Sequence, residues 1–375
     1  MHDSAGFLIA ALLGRLFSAP CCEQPSAIIA IDREPMYRIH QGEHLSEFGT
    51  PTSAAMSPSG EVVVVDAISG QLLVVAASGD VRNHVRATGR GPSELASIAS
   101  ACLLANGDAL VLDPSMLRVM RVDRKGRVAQ IATVPAPVPH EIVCAVDGSD
   151  TWATVAFSNF AADVKWRGAP RSPMVPMRAT VRVQSWRGAI AHRVHVFEGA
   201  TSVLAVGGGG FPTPLGPRVT AAIDSEHLFV ASGDSASISV IHHESTRKRL
   251  VRYVADKQRP TESEVAMARE RSLNSLPVVV RNDVAELLNG FEIGRTIASH
   301  HSLVLGPEGR LWLQLRPSGG RPARVLGLDP SGARPTETML PAGMTLVAKT
   351  NDRVLLRSFD VDGVEQLTVH RIKKR

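Results

Sequence analysis

Residues 101–128 read ACLLANGDAL VLDPSMLRVM RVDRKGRV. One apolar run ends at the Asn106-Gly107 turn and a second ends at Asp113. A third, Leu117–Val122, leads into the turn Asp123-Arg124-Lys125-Gly126. Short apolar runs joined by tight turns of this composition are antiparallel strands, and three in succession make most of a four-stranded sheet. The same phrase stands one period earlier, in Ala54–Met56, Ser59-Gly60, Val62–Asp66, Leu72–Val75 and Ser78-Gly79-Asp80. The unit is a repeat.

Aligning the first turn of each unit gives Gly60, Gly107, Gly148, Glu226, Gly309 and Asp352, with successive gaps of 47, 41, 78, 83 and 43 residues. A period of about 40–45 residues with four short strands is that of a propeller blade. The two long gaps hold insertions and not further blades. A polar segment at about 158–177 interrupts the third unit, and about 255–298 separates the fourth from the fifth. In the latter, Pro260, Thr261 and Glu264 form a capping box that starts a helix near Glu262, running to about Leu273. A second, shorter helical turn is expected over Asp283–Leu288, stopped by Asn289-Gly290.

Val62-Val63-Val64-Val65 and Leu72-Leu73-Val74-Val75 do not alternate apolar with polar residues, so both faces of these strands are buried. Blades stacked around an axis bury both faces. The sixth unit supplies three strands before the chain ends, while Ala27–Ile31 and Met36–Ile39 are strands without a hairpin. The expected fold is therefore all-β: a six-bladed propeller with one inserted helix, closed by an amino-terminal strand that leaves no open edge. Residues 27–375 form the single propeller domain, and residues 1–26 precede it as a targeting segment. Phe7–Leu13 has the apolar outline of a secretory signal, although no Lys or Arg precedes it.

The chain is 44% hydrophobic and 21% charged, ordinary for a globular protein, with a net charge of +5 that is scattered along it. Arg247-Lys248-Arg249 and Lys373-Lys374-Arg375 are not interleaved with aromatics, so no nucleic-acid platform is indicated. No run approaches the roughly 18 apolar residues of a membrane span. Cys102 is five residues before Gly107 and Cys144 four before Gly148, which points the two to opposite faces of their strands. Both read as small core residues, not as a disulfide or a metal pair. Asp66 and Asp113, ending equivalent strands, read as acceptors for backbone N–H groups of the next turn.

Gly89-Arg90-Gly91-Pro92-Ser93-Glu94-Leu95 resembles the G-x-G-P-G-E-F link of the bacterial six-bladed propellers of the NHL and TolB-like groups, departing from it at Ser93 and Leu95. Gly309-Arg310-Leu311-Trp312-Leu313 and the segment from Asp362 to Arg371 are similar to that group's last two blades. The resemblance implies the fold and a periplasmic or secreted protein, with a cytoplasmic one as the alternative. It assigns no chemistry, since propellers host many activities.

Counting eight residues back from each first turn gives Thr52, Ala99, His140, Arg218, His301 and Met344, the entries to the innermost strands. These six should ring one mouth of the central channel. His140, Arg218 and His301 then stand on consecutive blades, with Glu141 and His300 beside them. Two imidazoles flanking a guanidinium suit a carboxylate or phosphate group on a ligand. Two histidines and Glu141 could instead hold a divalent metal. The function expected is a monomeric, non-catalytic propeller that binds a small anionic ligand or a protein partner, with no cofactor. The alternative is a metal-assisted hydrolase or lyase. No nucleophile elbow surrounds Ser235, and no H-E-x-x-H or paired C-x-x-C occurs.

Overall fold

The computed structural model describes residues 30–39, 51–159, 174–186, 193–204, 210–212, 215–216, 218–233, 235–243, 245, 247–255, 260–274, 278–289, 300–316, 322–331, 335–360 and 365–373. Residues 1–26, expected to serve as a targeting segment, lie outside them.

Six antiparallel sheets form the blades of one propeller. Their first strands are Ser53–Met56, Ser100–Leu103, Glu141–Cys144, Val219–Ile223, His300–Leu305 and Thr345–Lys349. Each first strand touches the first strand of the next blade, and the sixth touches the first, so these strands wall the central channel. Within the first five blades the strands follow in sequence order. The third blade carries an extra strand, Gly210–Pro212, paired to Arg193–Leu204.

The ring closes through the amino-terminal segment. Ala30 and Ile31 pair with Lys373 and Ile372, and Tyr37–Ile39 pair with Val369, Thr368 and Leu367. Both segments extend the outer edge of the sixth blade, whose other strands all lie near the carboxyl end of the chain.

The core lies in the seams between blades, which explains the unbroken valine run. Val62 and Val64 pack towards the sixth blade with Leu355, Leu367 and Val369. Val63 and Val65 pack towards the second with Val111 and Met120. All four valines are fully buried, and each contributes about 1.5–3 kcal/mol relative to exposure.

Polar groups pin the seams and links. Asp66 accepts the N–H groups of Ile68 and Ser69 at 3.0 and 3.1 Å, as expected of a turn aspartate. Asp113 differs. It accepts Nε of Arg118, the Ala96 N–H and the Ser97 hydroxyl, so it holds the preceding link and not the next turn. Arg118 also donates to the carbonyls of Gly91 and Glu94, which fixes the Gly89–Leu95 segment on the blade.

Cys102 and Cys144 are joined in a disulfide, with Cα atoms 5.7 Å apart, across the seam between the second and third blades. The expectation of two separate core thiols is corrected here. Neighbouring blades turn opposite faces towards each other, so side chains on opposite faces of adjacent first strands are the ones that meet.

The insertions also differ in detail. The second and third strands of blade three, Thr151–Asn159 and Met174–Ser185, extend into the interrupting segment and pair as far as Asn159 with Met177. Between the fourth and fifth blades lie two helices, α1 (Glu262–Asn274) and α2 (Val278–Asn289). The capping box at α1 is formed: Glu264 N–H donates to Thr261 Oγ1, and Thr261 N–H to the Glu264 carboxylate. The single turn expected at Asp283–Leu288 is a full helix whose Val284 and Leu288 are buried. No described helix is long and apolar enough to cross a membrane.

Candidate functional site

The entries of the first strands open into a cavity of about 410 Å³ at one end of the channel, within the range of small-molecule sites. Thr52, Ala99, His140, Arg218 and His301 all line it, from five consecutive blades. Met344 does not. Its side chain packs between the fifth and sixth blades, and Thr345 lines the cavity instead. The first turns of the fourth and sixth blades, Asp224–His227 and Thr350–Arg353, are each one residue shorter than Ser57–Glu61, so eight back falls one residue early in both; Arg218 still reaches the cavity and Met344 does not. Beyond the cavity the channel narrows to a space of about 150 Å³ walled by Ala54, Val143, Ala221, Val304 and Val347, with Glu141 and Lys349 also lining it. The chemistry sits at the wider end.

Glu141 lines the cavity beside His140. His300 belongs elsewhere: it is buried, with Nε2 3.1 Å from Thr220 Oγ1 and Nδ1 3.4 Å from the Tyr253 hydroxyl, between the fourth and fifth blades. The register with the second strand shifts between His300 and Ser302, so His301 occupies a bulge. A bulge re-aims a side chain, and here His301 reaches the cavity while its neighbour fills the seam.

Three further residues complete the site. Phe157, on the extended blade-three hairpin, stacks on His140 with ring centroids 4.3 Å apart, and Met177 lies on the paired strand. Arg357 stands across from Thr345 and forms an ion pair with Glu365 at 2.7 Å.

Arg218 and His301 are open to the water of the cavity yet ringed by protein, so the surrounding walls strip part of their solvation. Burial holds the imidazoles neutral: His140 is pushed down to about 4, helped by Arg218. His301 is pushed down to about 3 by burial and then by Arg218, Arg316 and Arg357. Burial raises the Glu141 carboxyl to about 7 against the opposing pull of Arg218. Arg218 is lowered from its usual value by burial but stays a cation at neutral pH. Among the described residues Arg218 makes no hydrogen bond and no close ion pair. Arg316, just outside, donates to the Leu215 carbonyl at 2.7 Å, and the Glu264 carboxylate in the first turn of α1 acts on its charge. That places the start of α1 near the mouth.

His140, Glu141 and His301 do not come within mutual ligating distance. Among the described residues the set of three that does is Glu226, His227 and His242, away from the channel mouth.

No family model and no curated protein sequence matches the chain. Among solved structures it is similar to a Bacteroides fragilis protein taken to be exported, at 11% identity and a TM-score of 0.50, over 94% of this chain and 98% of that one. It is also similar to a catalytically inactive virginiamycin B lyase from Staphylococcus aureus with quinupristin, at 12% identity and a TM-score of 0.42, over 92% of this chain and all of that one. The U3-55K structure matches at 11% identity and a TM-score of 0.47, over 93% and 100%. At these identities the likeness shows the fold alone. The chain is a six-bladed β-propeller.

Proposed function

We propose that this propeller is a non-catalytic binding protein that takes the anionic group of a small molecule at the mouth of its channel. The carrying observation is Arg218, a cation without a hydrogen bond or close ion pair among the described residues, lining a cavity of about 410 Å³. Its fork of N–H donors matches a carboxylate or phosphate. Neutral His140 and His301 add hydrogen-bonding nitrogens on either side, and the Phe157–His140 stack offers an apolar wall. Among the described residues the carboxyl that acts on Arg218 is Glu141, which burial keeps largely protonated below about pH 7. Below that pH the site therefore favours an anion and does not neutralise itself. Export fits the disulfide, because such bonds persist in oxidising compartments.

Calorimetric titration with sulfate, whose charge is constant across neutral pH, tests this. Wild-type protein should bind it, and Arg218→Gln should weaken binding at least tenfold. Unchanged affinity in Arg218→Gln would overturn the proposal.

A further inference from the structure

At the rim of the fourth blade, the turn Asp224-Ser225-Glu226 opens the strand His227–Ser232, which pairs with Ser237–His242. His227 and His242 stand directly opposite in that register, with ring centroids 5.3 Å apart and planes nearly perpendicular. The ligand atoms of Glu226, His227 and His242 all lie within 4.8 Å of one another.

The turn that carries them is held from several sides. Asp224 Oδ1 accepts the N–H groups of Glu226 and His227 at 2.8 and 2.5 Å. The Ser225 N–H donates to Asp147 of the third blade at 2.7 Å. His243, buried, places Nε2 2.9 Å from the Asp224 carbonyl. Asp224 Oδ1 also lies 3.5 Å from Nδ1 of His227. A carboxylate beside one imidazole nitrogen, once hydrogen-bonded to it, orients a ligating histidine and leaves its other nitrogen for a metal.

We infer that Glu226, His227 and His242 form a binding site for a divalent transition metal of the zinc class. Two imidazoles and one carboxylate are ligands that Zn²⁺ takes, at about 2.0–2.2 Å, leaving a fourth position for water. Around such an ion the ligand atoms stand about 3.4 Å apart. Glu226 is exposed at the turn and can close the remaining distance by rotating its side chain. The nitrogen-rich set disfavours Mg²⁺ and Ca²⁺, which take oxygen ligands. An ion here clasps the start of one strand to the end of its neighbour beside the seam between blades three and four.

The test uses the full, untagged chain, stripped with a chelator and titrated with Zn²⁺ against a competing chromophoric chelator. Wild-type protein should take up one equivalent. His227→Ala and His242→Ala should each lose at least tenfold in affinity, and Glu226→Gln, at an exposed turn position, should weaken binding without affecting folding. Loading with Co²⁺ should give visible ligand-field bands that disappear in His242→Ala. The His140→Ala/His301→Ala double variant should bind Zn²⁺ as wild type does. No uptake by wild-type protein, full uptake by His227→Ala and His242→Ala, or loss of uptake in the channel-mouth double variant would each overturn the assignment.

Discussion

Deleting residues 1–41 removes both segments that pair with the last strand, Glu365–Lys373. The loss includes Ile39, buried against Leu355, Leu367 and Val369, together with the half-buried Tyr37 and Ile31. A buried isoleucine is worth about 2 kcal/mol, and two half-buried side chains about 1 kcal/mol each. The truncation also uncovers Leu367 and Val369, fully buried in the intact ring. Ladder bonds such as Asp32 N–H to the Arg371 carbonyl at 2.9 Å and Met36 N–H to the Val369 carbonyl at 2.7 Å add to the loss. At a net value of about 1 kcal/mol each, the total reaches about 5–6 kcal/mol, comparable with the whole stability of many domains. The assay is urea unfolding of chains beginning at residue 27 and at residue 42. With a slope of about 3 kcal/mol/M, the midpoint should fall by about 2 M. The bare edge should also drive the shorter chain to associate. Coincident midpoints and a monomeric shorter chain would refute closure through this segment.

Three other outcomes follow from particular side chains. Cys102 and Cys144 should resist thiol reagents even in denaturant until reduced. Replacing both with Ala should cost about 4 kcal/mol by releasing a loop whose ends are 42 residues apart, measured by chemical denaturation. Arg118→Ala strands the fully buried Asp113 without its cation and frees the Gly89–Leu95 link, so it should destabilise the fold by about 3–5 kcal/mol. Glu141 binds its proton more tightly folded than unfolded, so its stabilising contribution is complete below pH 4.5 and is lost as pH rises to about 7. Glu141→Gln should remove that loss and become the more stable form at pH 8. It should also remove the weakening of sulfate binding that the ionised carboxyl causes above pH 7. His140 and His301 act in the opposite sense, losing stability as pH falls below 6.5, and the variant should keep that loss.

The fold was legible because the blades bury both faces of their middle strands. That burial removes the alternation from Val62–Val65 and leaves a period that turn glycines mark. Outer strands were harder to see. Val81–Arg86 and Thr336–Met339 are partly wet and carry polar residues without a run to betray them. The disulfide is not legible from faces counted along one strand, because adjacent blades meet through opposite faces. Counting back from the turns found His140, Arg218 and His301, since a strand of known length places its entry. The same count carried His300 along as a neighbour, and only the bulge at His301 separates the two. Arg357 was absent from the candidate set because it lies on a second strand, although a lone arginine closing the apolar run Val354-Leu355-Leu356 is a signal of the same kind as Asp66 and Asp113.

The central claim is that an anion seats against Arg218 at the channel mouth. Crystals of the full chain soaked in selenate would locate the anion by the anomalous signal of selenium. The account predicts a peak in the cavity within hydrogen-bonding distance of the Arg218 guanidinium, flanked by His140 and His301, and absent from Arg218→Gln crystals. Selenate bound only at other arginines, with the mouth vacant in the wild-type protein, would contradict it.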